Sequence, residues 1–185
     1  SDYLTTIALT GNTQSIGMKY NSVNNYLYCL SKNIIFVIDP LLNTIITSIT
    51  LTDDAYDLEI NSNNGDIYIS YQNIADIDIY DYTNTFTTTI TTTSSFDTST
   101  GKMVFNDFEG DMYVLTNDTS VDNVLRIDGA TRAIQTTYNI TGATNSIFYE
   151  PVNEAIYVYG TSELWKIDNG ITYSIPLITT GVFND

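Results

Sequence analysis

Apolar and polar positions come in short bursts along this chain, and the bursts recur four times at a spacing of roughly 42 residues. The clearest line of the repeat is Tyr20-Asn21-Ser22-Val23-Asn24-Asn25-Tyr26-Leu27-Tyr28. It returns as Ile60-Asn61-Ser62-Asn63-Asn64-Gly65-Asp66-Ile67-Tyr68 and as Phe105-Asn106-Asp107-Phe108-Glu109-Gly110-Asp111-Met112-Tyr113. The last copy is Tyr149-Glu150-Pro151-Val152-Asn153-Glu154-Ala155-Ile156-Tyr157. Each line sets a large apolar residue before a polar turn and a Tyr beyond it. A bulky residue followed by Asp comes next in each unit: Ile38-Asp39, Tyr80-Asp81, Ile127-Asp128 and Ile167-Asp168.

The pattern predicts four short strands per unit. First strands fall at 16–20, 58–60, 103–105 and 147–149, and second strands at 26–30, 66–71, 111–116 and 155–159. Third strands fall at 34–38, 77–80, 124–127 and 164–167, and fourth strands at 44–51, 85–91, 133–140 and 171–178. The Asn, Asp and Gly residues between the first two strands tolerate the positive φ of a tight hairpin. Second and third strands carry apolar residues side by side, as strands buried on both faces do. The fourth is rich in Thr, which keeps strand propensity while facing water at an outer edge. An O-glycosylated tract is the other reading of Thr87-Thr88-Thr89-Ile90-Thr91-Thr92-Thr93. No stretch carries a helical apolar stripe, so no helix is expected.

A four-stranded unit of this period is a β-propeller blade. The expected fold is therefore all-β, a propeller with complete blades over 15–56, 57–100, 101–144 and 145–181. Residues 1–14 hold an orphan outer strand at 3–10, which resembles the fourth strands, and 182–185 begin a further blade. These pieces predict a partial ring, completed by flanking sequence or by other protein chains. A self-contained four-blade ring with an added edge strand is the alternative. An exposed strand edge invites pairing with another chain, so self-association is expected.

The Leu27-Tyr28-Cys29 and Ile156-Tyr157-Val158 strands, each followed by a strand ending in Ile-Asp and by a Thr-rich strand, resemble the YVTN family of propeller repeats. The resemblance runs from about Ile16 to Ile178 and implies a surface-layer or secreted propeller. Tyr113-Val114-Leu115-Thr116 and Tyr157-Val158-Tyr159-Gly160 lack the Asn of the family signature.

Charge narrows the partners. The chain has 22 acidic residues against 6 Lys plus Arg, no His, and a net charge of −16. Such a surface repels phosphate backbones and anionic lipid, so neither nucleic acid nor membrane insertion is expected. No apolar run approaches the ~20 residues that span a bilayer. Few Lys beside abundant Thr, Asn and Tyr suggest an extracellular, cell-surface or virion setting. Cys29 is the lone cysteine and aligns with Ile69, Val114 and Val158, so it reads as a small buried hydrophobe.

Candidate chemistry lies in the carboxylates. Asp53, Asp54 and Asp57 are expected in one loop between blades and Asp97 in the next. Asp76, Asp118 and Asp122 are expected in loops between second and third strands, where spacing lengthens at 71–76 and 117–123. These seven would share one loop face, as a solvated rim or a binding surface. Asp107, Glu109 and Asp111 alternate beside Gly110 like half a calcium loop, or form a plain hairpin turn. Asp39, Asp81, Asp128 and Asp168 recur once per blade, which suits turn capping better than catalysis. Asn117 and Asn139 head N-glycosylation sequons, the first in an expected loop. Without His there is no imidazole to activate a nucleophile, and zinc lacks its usual ligands. These observations predict a non-enzymatic structural or interaction module without cofactor. The alternative is a hydrolase or lyase dependent on calcium held by clustered carboxylates.

Overall fold

The computed structural model describes residues 6–9, 15–92, 101–118, 121–141, 144–161 and 163–176. These residues form four separate antiparallel sheets of four strands each. Blade 1 comprises β1 (Ser15–Asn21), β2 (Tyr26–Ser31), β3 (Ile34–Asp39) and β4 (Thr44–Thr50). Blade 2 comprises β5 (Ala55–Ile60), β6 (Ile67–Tyr71), β7 (Asp76–Tyr80) and β8 (Phe86–Thr91). Blade 3 comprises β9 (Met103–Asn106), β10 (Asp111–Asp118), β11 (Val121–Asp128) and β12 (Ile134–Ile140). Blade 4 comprises β13 (Thr144–Glu150), β14 (Ala155–Gly160), β15 (Glu163–Asp168) and β16 (Ile171–Pro176). Strands follow chain order within every sheet. The chain is a β-propeller fold of four blades. Among the described residues no helix is long and apolar enough to cross a membrane.

Turn chemistry fixes each hairpin. The turn after the first strand places Asn25, Gly65, Gly110 and Glu154 at positive φ. At Gly65 (φ +79) an added Cβ would lie 2.8 Å from Tyr82 Cβ and 2.9 Å from Val23 Cβ, so only glycine fits. The first residue of each turn organises it. Asn21 Oδ1 accepts from Val23 N at 3.0 Å, Asn61 Oδ1 from Asn63 N at 2.9 Å and Asn106 Oδ1 from Phe108 N at 3.0 Å. In blade 4 Glu150 does the same through Val152 N at 2.8 Å. The recurring Asp residues cap the turn before the fourth strand in three blades. Asp39 accepts from Leu41 N, Asp81 from Thr83 N and Asp128 from Ala130 N. Asp168 instead takes Lys166 Nζ at 2.6 Å and Asn169 Nδ2 at 2.8 Å.

Blades pack face to face because successive side chains of a strand point to opposite faces. Between blades 1 and 2, Tyr28, Leu30 and Val37 cluster with Leu58, Ile60 and Ile69. Tyr68, Ile77 and Ile79 meet Met103, Met112 and Leu125 between blades 2 and 3. Tyr113, Leu115 and Tyr138 meet Ile147, Val158 and Ile167 between blades 3 and 4. Cys29 is buried and, with Phe36 and Ile38, forms a cluster on the opposite face of blade 1. Ile7 and Leu9 pack on that cluster, as Ile49 and Leu51 pack between blades 1 and 2. No strand forms over residues 6–9, the described part of the strand expected at 3–10. The residues expected to begin a fifth blade, 182–185, lie outside the described residues.

Of residues 117–123, expected as a loop, 117–118 and 121–123 instead lengthen the β10 and β11 strands. Asn117 pairs with Asp122 and Asp118 with Val121, which satisfies backbone groups that a loop would leave to water. Asp57 likewise belongs to β5 and not to the loop before it, because the ladder with β6 begins at Ala55.

Candidate functional site

The inner strands β1, β5, β9 and β13 converge on a central cleft. Two cavities of about 340 and about 470 Å³ share Lys19, Val104 and Phe148 in their walls. Repeat alignment puts Lys19, Glu59, Val104 and Phe148 at one level of this cleft. Gly17, Asp57, Lys102 and Ser146 stand two residues earlier. No two blades agree at either level, in contrast to the turn positions, which nearly all do. Blade stacking requires the recurring residues, so the non-recurring inner-strand positions give the cleft its chemistry.

Two carboxylates dominate it. Lys19 Nζ donates to Glu59 Oε2 at 2.5 Å, and Ile60 N donates to Glu59 Oε1 at 3.0 Å. Burial pushes Glu59 above the usual carboxylate range, outweighing the opposing pull of Lys19. Asp57 accepts from Leu58 N through Oδ1 and from Met103 N through Oδ2, both at 2.9 Å. Burial raises Asp57 as well, against these two hydrogen bonds. Glu59 thus ties blade 2 to blade 1, and Asp57 ties it to blade 3. Lys102, Tyr20 and Tyr149 complete the polar and aromatic lining. The arrangement offers charge and ring surfaces for binding. Its carboxylates are already engaged in holding blades.

The seven carboxylates expected on one face occupy separate settings. Asp53 and Asp76 line one cavity, joined there by Asp78. Asp54 Oδ2 pairs with Lys32 Nζ at 3.2 Å, and Asp57 is in the central cleft. Asp122 is buried and accepts from Thr144 N at 2.5 Å and Thr144 Oγ1 at 2.6 Å, fastening blade 3 to blade 4. Asp118 lies in β10, and Asp97 falls outside the described residues. The separation follows from register: residues adjacent in sequence point to opposite faces once they enter a strand.

The half calcium loop forms a turn whose acids have partners. Asp107 accepts from Ser62 Oγ at 2.6 Å, and Glu109 accepts from Asn106 Nδ2 and Tyr113 Oη. Arg126 donates to Asp111 Oδ2 through Nε and Nη2, each at 2.6 Å. Among the described residues no three Cys, Asp or Glu side chains are grouped as metal ligands. Of the sequon residues, Asn117 stands in β10, and Asn139 is exposed on β12. Lys19, Glu59 and Asp78 carry no motif. Comparing the four repeats position by position is the signal that finds them.

No family model matches the chain, and no curated protein matches it in sequence. Solved structures match its fold. Hydrazine synthase of Kuenenia stuttgartiensis superposes with a TM-score of 0.73 at 15% identity, over 89% of this chain and 54% of that one. Virginiamycin B lyase of Staphylococcus aureus gives 0.73 at 15% identity, over 92% and 58%. The Dos1 propeller gives 0.66 at 15% identity, over 83% and 44%. The chain therefore spans about half the length of these propellers. They include enzymes and a protein named only for its propeller, and what they share with this chain is the fold.

Proposed function

We propose that this chain is a non-enzymatic structural and interaction module, extracellular, cell-surface or virion, that joins other protein chains or flanking sequence through its terminal blades. The observation that carries this reading is the outer face of blade 4. Tyr159, Tyr173 and Ile175 stand exposed there, whereas Leu30 and Leu115, which share the repeat position of Tyr159, are fully buried. A further β-sheet laid on this face would bury them as the internal interfaces do, which supports ring completion by added blades. The resemblance to YVTN repeats and the Lys-poor, Thr-rich composition support the surface location.

Sedimentation of the isolated chain tests it. Concentration-dependent self-association is expected, and Tyr159→Lys with Tyr173→Lys should abolish it while leaving the circular dichroism unchanged. A monomer at every concentration, in wild type and variant alike, would overturn the reading. Screens against lactones and sugars, with and without calcium, are expected to give no turnover. Turnover removed by Asp57→Asn would establish an enzyme instead.

A further inference from the structure

A cavity of about 380 Å³ opens on blade 2 beside the linker from blade 1, at Thr52 and Asp53, and shares no lining residue with the central cleft. Its floor departs from the repeat. On the third strand, blades 1, 3 and 4 place Phe36, Leu125 and Trp165 opposite Cys29, Val114 and Val158. Blade 2 places Asp78 there, opposite Ile69. Two residues along β6, Tyr71 stands where the other blades have Ser31, Thr116 and Gly160. A bulky apolar side chain has become a small acid, and a small side chain has become a large phenol, on neighbouring strands.

Stacking does not require this exchange, since the blade 2–3 and 3–4 interfaces are closed with Leu125 and Trp165. Asp78 is only 9% exposed. Tyr71 Oη donates to its Oδ2 and Thr89 Oγ1 to its Oδ1, each at 2.6 Å. Burying an acid on two hydroxyls costs stability that an apolar residue would not. A local rule broken without a stabilising gain marks function.

The surroundings say what would fit. Asp53 and Asp76 line the same cavity, with Tyr71, Tyr80 and Phe86 as aromatic walls. The Tyr80 and Phe86 rings meet edge to face with centroids 5.6 Å apart. Five of the six basic side chains pair with other carboxylates: Lys19, Lys32, Arg126, Arg132 and Lys166. The sixth, Lys102, lines the central cleft. Among the described residues no Lys or Arg neutralises this cavity. Its three carboxylates are not grouped closely enough to hold a metal ion. Spread carboxylates in a cavity walled by aromatic rings suit a larger, softly charged group, held by charge and by cation–π contact.

We propose that this cavity binds an organic cation, an ammonium or guanidinium group, with Asp78 as its charge partner and Tyr80 and Phe86 as its ring partners. The site is separate from the terminal faces and does not depend on their joining anything. Amide chemical shifts of the whole chain test it by titration with n-butylammonium, for a free amine, and N-acetyl-arginine amide, for a side chain presented by a protein. Saturable shifts confined to residues around 71–89 are expected from at least one of them, and the tighter identifies the source. Sodium at equal ionic strength and neutral n-butanol should give none.

Asp78→Leu, the blade 3 residue, should abolish the saturable shifts and raise the melting temperature by about 2–4 °C. Asp78→Asn keeps the shape of the side chain and should weaken binding at least tenfold, which holds the test should the Leu variant fail to fold. Unchanged binding in Asp78→Asn would overturn the proposal. So would the absence of saturable shifts from both cations, or equal shifts from sodium, calcium or n-butanol.

Discussion

The faces between blades and the faces at the two ends of the array are built from the same repeat positions, yet they meet different surroundings. Met18 aligns with Leu58, Met103 and Ile147. It is 59% exposed, whereas those three are between 2% and 6% exposed. At the other end Tyr157, the counterpart of the buried Tyr28, Tyr68 and Tyr113, is only partly covered, and Tyr159 beside it is exposed. Among the described residues Met18 and Tyr159 are interface side chains that no neighbouring blade covers, although Ile7 and Leu9 cover Cys29, Phe36 and Ile38 on the face that carries Met18. A repeat position encodes the type of residue an interface needs, and only a neighbouring blade supplies the burial that makes the residue stabilising.

The sharpest way to break this comparison is one substitution made twice. Leu58→Ala should cost about 2–5 kcal/mol in urea unfolding, because it leaves a cavity between blades 1 and 2. Met18→Ala, at the same repeat position on the open face, should change stability by less than about 0.5 kcal/mol. Equal losses would mean that Met18 too is covered in solution. A polar version follows from Arg126 and Lys166, which also share a repeat position. Arg126→Met strands the buried Asp111 and should cost about 3 kcal/mol, whereas Lys166→Met on blade 4 should cost far less, as judged by paired melts.

Turn strain offers a smaller contrast. Glu154 takes φ +55 where the other blades place Asn25, Gly65 and Gly110. Glu154→Gly should therefore stabilise by about 1 kcal/mol in the same unfolding assay.

The smallest effect expected is on pH dependence. Burial raises Glu59 above its ordinary value of 4.5, so the folded state holds that proton more tightly than the unfolded chain. Its contribution is full below the ordinary value and is lost as pH rises through the raised one. Asp57 acts in the same direction. Glu59→Gln should flatten the fall in stability above pH ~4.5, followed by denaturant midpoints. A slope unchanged by this variant would show that Glu59 has no part in it.

Much of the fold could be read locally. Asn25, Gly65 and Gly110 announce positive-φ turns, and the Tyr28, Tyr68, Tyr113 and Tyr157 series announces the strands. Asp39, Asp81 and Asp128 cap their turns as recurrence suggested, because such caps bond backbone within a few residues of themselves. The candidate sites were less legible. In sequence Asp57 reads as a loop residue and Asp122 as a solvated one, whereas the β5–β6 ladder places Asp57 in a strand and Thr144 closes over Asp122.

The sequence by itself determined the number of blades, their strand content and the residues that make each hairpin turn. Those properties follow from periodicity and φ preference, which act over a few residues. Which carboxylates share a cavity, which aromatic residues stay exposed and where Lys19 meets Glu59 were decided only by the tertiary structure. These depend on register and on the neighbouring blade, so contacts forty residues away in the chain set the burial and charge of each group.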